Sequence, residues 1–268
     1  MHRLLTPFLL MTLATADASE VRLDGDIVQG GLVFGHAAEA SRVELDGDAL
    51  MLSEDGHFVF GFGRDDTEAV ILTVEFESGQ RWSRTLTPAD RDFDIERIDG
   101  LDQNFVTPPA EVYERIREDV ELTREARRRR DDRTDWLSGW IWPARGRISG
   151  VYGSQRILNG EPRNPHWGVD IAVATGTPVL APAPGVVTLA EEDMYYSGGT
   201  LFLDHGHGLV SAFLHLDSLS VEIGDSIEQG QEIGRVGATG RATGPHLDWR
   251  INAGATRVDP LLLLDPDA

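Results

Sequence analysis

The sequence predicts a mainly β protein: a small N-terminal β-sandwich, one connecting helix and a C-terminal antiparallel two-sheet sandwich or barrel. Three observations predict it. Alternating apolar and polar runs fill both ends of the chain, turn pairs such as Asp46-Gly47 and Asp55-Gly56 separate them, and only the middle carries Glu and Arg at helical spacing. At 268 residues the chain has length for two modest domains, and 41% hydrophobic content supplies their cores. It has no cysteine, which excludes disulfides, a thiol nucleophile and Cys-based zinc sites, so any metal site draws on His, Asp or Glu.

Met1-His2-Arg3 precede the apolar run Leu4 to Ala14, followed by the small-x-small triplets Ala14-Thr15-Ala16 and Ala16-Asp17-Ala18. This is the pattern of a secretory signal over residues 1–18, and it places the mature chain across the inner membrane, in the periplasm or outside. No run reaches the roughly 20 apolar residues of a membrane span, so no integral membrane segment is expected in the mature chain.

Residues 19–106 read as an Ig-like sandwich, with Val43-Glu44-Leu45, His57-Phe58-Val59-Phe60 and Ala69 to Phe76 as strands. Residues 20–100 hold 19 acidic against 7 basic residues, so more than half of the chain's net charge of −21 lies here, and His36 and His57 read as lone structural histidines. Residues 107–135 form the linker: Thr107-Pro108-Pro109 opens a helix from Ala110 to about Arg133. Glu111/Arg115 and Glu121/Arg124 pair on its solvated face, and Val112, Ile116, Val120 and Leu122 form one apolar stripe. The run Arg127 to Arg130 is followed by Asp131 and Asp132, and a net charge of −21 argues against nucleic acid as a partner, because such binding rests on neutralising phosphates. Residues 136–268 form the second β domain, with strands over Thr177 to Val187, Thr200 to Leu203, Leu209 to Leu216 and Glu232 to Val236.

The candidate chemistry lies in that last domain, which holds His166, His205, His207, His215 and His246. His166 and Asp170 are four residues apart and His246 and Asp248 two apart, separations that share a face in an extended chain. His and carboxylate are competent zinc ligands, and three protein ligands with one open position is the catalytic pattern. Without their surroundings, His166 and Asp170 read equally as a hydrogen-bonded pair at a strand edge. His205-Gly206-His207-Gly208 reads as a structural turn. Tyr195 and Tyr196 read as groove lining or a hairpin cap, and Arg156 and Arg163 as partners of peptide carboxylates or as solvated charges.

Asn164-Pro165-His166-Trp167-Gly168-Val169-Asp170, Gly176-Thr177-Pro178-Val179, His215-Leu216 and Gly244-Pro245-His246-Leu247-Asp248-Trp249, in that order between Ile141 and Leu264, resemble the lysostaphin-type or LytM-domain zinc peptidases, which have a duplicated hybrid motif fold. The resemblance implies an endopeptidase that hydrolyses peptide cross-links of bacterial peptidoglycan, with one Zn2+ per chain. His166 and Asp170 become metal ligands, Asp248 stands where the family usually has a third liganding His, and His215 and His246 become the catalytic imidazoles. Peptidoglycan stem peptides are the implied partner, with a cell-division or wall-synthesis protein as a further one. The N-terminal domain is expected to gate the groove. The alternative is a catalytically inactive relative that binds peptidoglycan or activates a partner amidase.

Overall fold

In the computed structural model, which describes residues 20–264 apart from Asp102, alternation governs the first hundred positions. Strands β1 (Val21–Asp24), β2 (Leu32–Ala37), β3 (Ala40–Leu45), β4 (Asp48–Ala49), β5 (His57–Gly61), β6 (Val70–Phe76) and β7 (Arg81–Leu86) make two antiparallel sheets, ordered β1-β2-β5 and β4-β3-β6-β7. Leu72, Val74 and Phe76, every second residue of β6, point inward and share a core with Val43, Phe58 and Phe60. Asp46 and Gly47, at φ 50° and 88°, form the two-residue hairpin between β3 and β4, a turn with positive φ at both positions. The expected signal at residues 1–18 lies outside the described residues.

Strand β8 (Ile95–Ile98) leaves these sheets and pairs in parallel with β10 (Gln155–Leu158), after β9 (Arg147–Gly150) in the chain. Between β8 and β9 run helix α1 (Gln103–Val106) and, after one 3-10 turn, α2 (Tyr113–Ala126). The helix ends earlier than the sequence suggests. Asp131 accepts hydrogen bonds from the Arg129 side chain and the Arg133 N–H, which gives the backbone a non-helical alternative just past four adjacent arginines. Of the expected pairs, Glu121/Arg124 forms, whereas Arg115 turns from Glu111 to Asp193, 2.9 Å away. Ile116, Val120 and Thr123 line a groove, whereas Leu122 does not, and both Val120 and Leu122 are exposed.

The remaining strands are β11 (Glu161–Pro162), β12 (Val169–Ala172), β13 (Pro178–Leu180), β14 (Gly185–Met194), β15 (Gly198–Asp204), β16 (Leu209–Leu219), β17 (Ser226–Ile227), β18 (Glu232–Val236), β19 (Leu247–Ala253) and β20 (Thr256–Val258). The stretch Thr177 to Val187, expected as one strand, is two, because Pro182 and Pro184 lack the N–H that a ladder needs. Every pairing among the strands from β12 onward is antiparallel. The layers expected as two sheets are continuous through β16. Its first half pairs with β19 up to Leu214↔Asp248, and its second half pairs with β18 from Leu216↔Val236. Val169, Ile171, Leu201, Phe213, Trp249 and Ile251 fill the core between them, and Leu32 and Val59 from the first sheets belong to the same cluster, as does Trp136.

Candidate metal centre

Asp170 and Asp248 sit directly opposite each other on β12 and β19, so the register of one antiparallel pair brings two buried carboxylates face to face. Like charges across a strand pair repel, and the arrangement needs cations around it. His166 supplies the third group, but not from the strand that the even spacing suggested. It lies in the loop before β12, held by its own N–H to the Ser154 carbonyl (2.8 Å) and by Gly153 N–H to its carbonyl (2.8 Å). The loop delivers its Nε2 to 3.1 Å from Asp170 Oδ1 and 3.5 Å from Asp248 Oδ2. One potential ligand atom from each of the three residues lies within 4.8 Å of the others.

These residues fit a divalent cation. Both ring nitrogens of His166 and Asp170 Oδ1 are buried with no hydrogen-bond partner among the described residues, and buried polar atoms left this way call for an ion or a water. Burial by itself pulls the His166 pKa down, but the facing Asp170 and Asp248 carboxylates outweigh it and hold the group above its usual range, so the pocket favours positive charge. Both carboxylates stay well ionised despite burial. Asp170 is held low by His166 and Arg156, and Asp248 by Arg250 and His166.

His215 lies where β16 changes partners. Its φ of 65° is rare for a residue with a Cβ, and its backbone is fixed by its N–H to Ser197 O (2.8 Å) and by Gly237 N–H to its carbonyl (3.0 Å). Strain of this kind concentrates at functional positions. Nδ1 donates to the Thr239 carbonyl at 2.8 Å, which leaves Nε2 as the acceptor, and burial lowers the pKa to about 4, so the ring is neutral at neutral pH. His246 donates from Nδ1 to Gly244 O at 2.8 Å, stacks at a tilt 4.7 Å from His215, and places Nε2 3.8 Å from Asp170 Oδ1. One groove of about 480 Å3 runs between α2 and the His166 loop, and a second of about 240 Å3 approaches from the far side. His215 and Arg241 line both.

The structure therefore brings together His166, Asp170, Asp248, His215 and His246. It leaves His205 out. That ring is buried elsewhere, donating from Nδ1 to Pro184 O (2.6 Å) and accepting from Ser211 Oγ (2.8 Å), while His207 packs edge-on against Trp136. His36 and His57 are not isolated. They face each other across β2 and β5, 4.5 Å apart, with Trp136 edge-on to His57. Tyr196 lines the larger groove, whereas the Tyr195 hydroxyl donates to Asn104 O. Arg156 spends its charge inside the protein, bridging Glu96 (3.0 Å) and Asp170 Oδ2 (2.6 Å), and Arg163 pairs with Glu161. Sequence reasoning missed Arg250, whose Nε and Nη2 donate to Asp248 Oδ1 (2.9 Å) and Oδ2 (2.5 Å). The signal was present: an Arg two residues after Asp248 on one strand shares its face.

Comparison with known proteins places this geometry. Residues 164–260 match the model of peptidase family M23. A Pseudomonas aeruginosa protein described as an M23 peptidase superposes over 89% of this chain and 95% of its own, with a TM-score of 0.63 and 27% identity. An uncharacterized metalloprotease of Haemophilus influenzae is 38% identical over 105 residues, 38% of this chain and 22% of its own length. The peptidoglycan DD-endopeptidase ShyA of Vibrio cholerae is 39% identical over 87 residues, 32% of this chain and 20% of its own length. The chain thus spans about a fifth of these curated relatives. Residues 164–260 thus form a peptidase family M23 domain, of the lysostaphin and LytM type.

Proposed function

We propose that the chain is a secreted zinc-dependent endopeptidase that hydrolyses peptide cross-links of bacterial peptidoglycan. The observation that carries this reading is the convergence of His166 Nε2, Asp170 Oδ1 and Asp248 Oδ2 at one point between two grooves, with two of those atoms otherwise unpartnered. The match to a DD-endopeptidase supports the substrate class, and the signal pattern at residues 1–18 supports export. The division into residues 19–106, 107–135 and 136–268 belongs to the same proposal.

His166, Asp170 and Asp248 would hold the ion, and zinc bound there would supply Lewis acidity toward the scissile carbonyl. The rest is done by the chain. His215, neutral and oriented by Thr239 O, offers Nε2 as acceptor for the proton of the attacking water. His246, its Nδ1 donating to Gly244 O, presents Nε2 beside Asp170; in its doubly protonated form that nitrogen donates to the developing oxyanion and hands its proton to the leaving amine. Arg156 and Arg250 hold the outer sides of the two carboxylates and offset the second negative charge that Asp248 brings in place of a histidine.

One observation favours the inactive-binder alternative: Arg250 reaches both oxygens of Asp248. Elemental analysis of the purified mature chain and of Asp248→Ala, with digestion of purified peptidoglycan and product masses, separates the two readings. About one zinc per chain, lost in the variant together with release of cleaved cross-links, is the expected outcome. Neither zinc nor cleavage in the unaltered chain sinks the peptidase reading.

A further inference from the structure

Three arginines along the larger groove lie over aromatic rings. Arg127 Cζ is 4.4 Å from the centroid of Phe202, Arg241 Cζ 4.6 Å from Tyr196 and Arg257 Cζ 4.7 Å from Trp167, and all six residues line that one groove. Stacking engages the face of a guanidinium and leaves its in-plane N–H donors for another partner. With Arg156, Arg163 and Arg250, the groove gathers six arginines and, among the described residues, a single acidic side chain, Asp119, on a chain whose net charge is −21. A concentration of positive charge against the sign of the whole molecule marks a place where an anion is wanted.

Internal carboxylates account for only part of it. Arg156, Arg163 and Arg250 each have one. Among the described residues Arg127 and Arg257 have none. Arg127 Nη1 reaches the Thr123 carbonyl at 3.3 Å while its Nε is buried without a partner, and the Arg257 side chain makes its contact with the Trp167 ring. Burial, then repulsion from Arg257 and Arg250, lowers Arg127 to about 10; burial and Arg250 lower Arg257 as well. Cations that lack a counter-charge gain the most when an anion arrives.

We propose that this groove is a carboxylate-binding subsite, in which the free N–H edges of Arg127 and Arg257 take free carboxylates of an acidic peptide whose reacting bond lies at the His166 end. The proposal rests on the peptidase reading and names what its substrate must carry. A carboxylate suits the site better than a phosphate. Each guanidinium stands on its own ring as a planar fork, and Arg127 caps the C-terminal end of α2, whose carbonyls repel a concentrated double charge.

The experiment uses the full chain and a fluorescein-labelled, uncross-linked stem tetrapeptide, which carries no bond of the proposed class, alongside the same peptide with its carboxylates amidated. Anisotropy titration is expected to show amidation weakening binding about tenfold, the loss of one or two charge-assisted hydrogen bonds. Arg257→Gln and, separately, Arg127→Gln should each shrink that ratio severalfold and leave the amidated peptide's affinity unchanged, with thermal unfolding checking that both variants fold. Equal binding of the two peptides overturns the proposal, as does a ratio that neither variant moves. Displacement of the peptide by inorganic phosphate at concentrations where acetate has no effect also overturns it, in favour of a phosphate site. A cross-linked dimer then separates the two readings: carboxylate-dependent binding without cleavage removes the peptidase and keeps the subsite, and cleavage indifferent to amidation does the reverse.

Discussion

The two β regions bury very different things. Among the described residues the first hundred positions bury one polar side chain, Gln29, whereas the region after Trp136 buries a dozen, including His166, Asp170, Asp204, His205, His215 and Asp248. The first region is the ordinary solution to folding, apolar inside and charge outside, and its cluster of Phe58, Phe60, Leu72 and Val74 needs nothing else. The second pays desolvation for charges that a purely structural sheet would place outside. That difference sets the second region apart before any mechanism is considered, and it can be broken or sharpened by substitution in each region.

The largest effect is expected in the second region. Asp170→Ala should lower peptidoglycan hydrolysis by about a thousandfold, the several kcal/mol that a bound divalent ion supplies, and should bring zinc content in elemental analysis to background. Retention of both would remove Asp170 from the ligand set. Phe58→Ala, wholly inside the first core, should cost about 4 kcal/mol in denaturant unfolding while zinc per folded chain stays the same; a fall in metal content would erase the contrast between the regions.

A smaller, pH-dependent effect belongs to His205, fully buried and shifted from 6.5 to about 4 by burial. Its folded pKa lies below the unfolded one, so the unfolded chain takes the proton first. Stability is full above about pH 6.5 and falls as pH drops toward about 4, by on the order of 3 kcal/mol. His205→Gln should flatten that part of a stability-versus-pH curve, and an unchanged slope would assign it to other groups. The smallest effect is expected on the solvated face of α2: Arg124→Ala, which loses an exposed pair with Glu121, should move the unfolding free energy by less than about 0.5 kcal/mol.

Much of this was legible from the chain alone, for reasons particular residues make plain. Period-two runs such as Val70–Phe76 and positive-φ turn pairs such as Asp46-Gly47 declare strands and hairpins locally. His166, Asp170 and Asp248 could be picked out because the motifs around them resemble those of the lysostaphin-type peptidases, the lack of cysteine having only narrowed the ligand types to His, Asp and Glu. The account of how they meet was less legible. Even spacing served Asp248 and His246, but His166 arrives from a loop held by Ser154 and Gly153, contacts that no periodicity encodes. The helix boundary at Ala126 and the break at Pro182 and Pro184 came from side-chain competition and missing donors that act against pattern.

The sequence by itself determined the class of fold, the placement of acidity in the first region and the set of groups able to hold a cation, because these follow from composition and short-range periodicity. Only the tertiary structure decided that Asp170 and Asp248 share a register, that β16 changes partners at His215, that Arg250 and Arg156 offset the paired carboxylates, and that arginines from α2, β10, β19 and β20 line one groove. Those relations join residues dozens of positions apart. Strand pairing and core packing set them, and neither leaves a local mark on the chain.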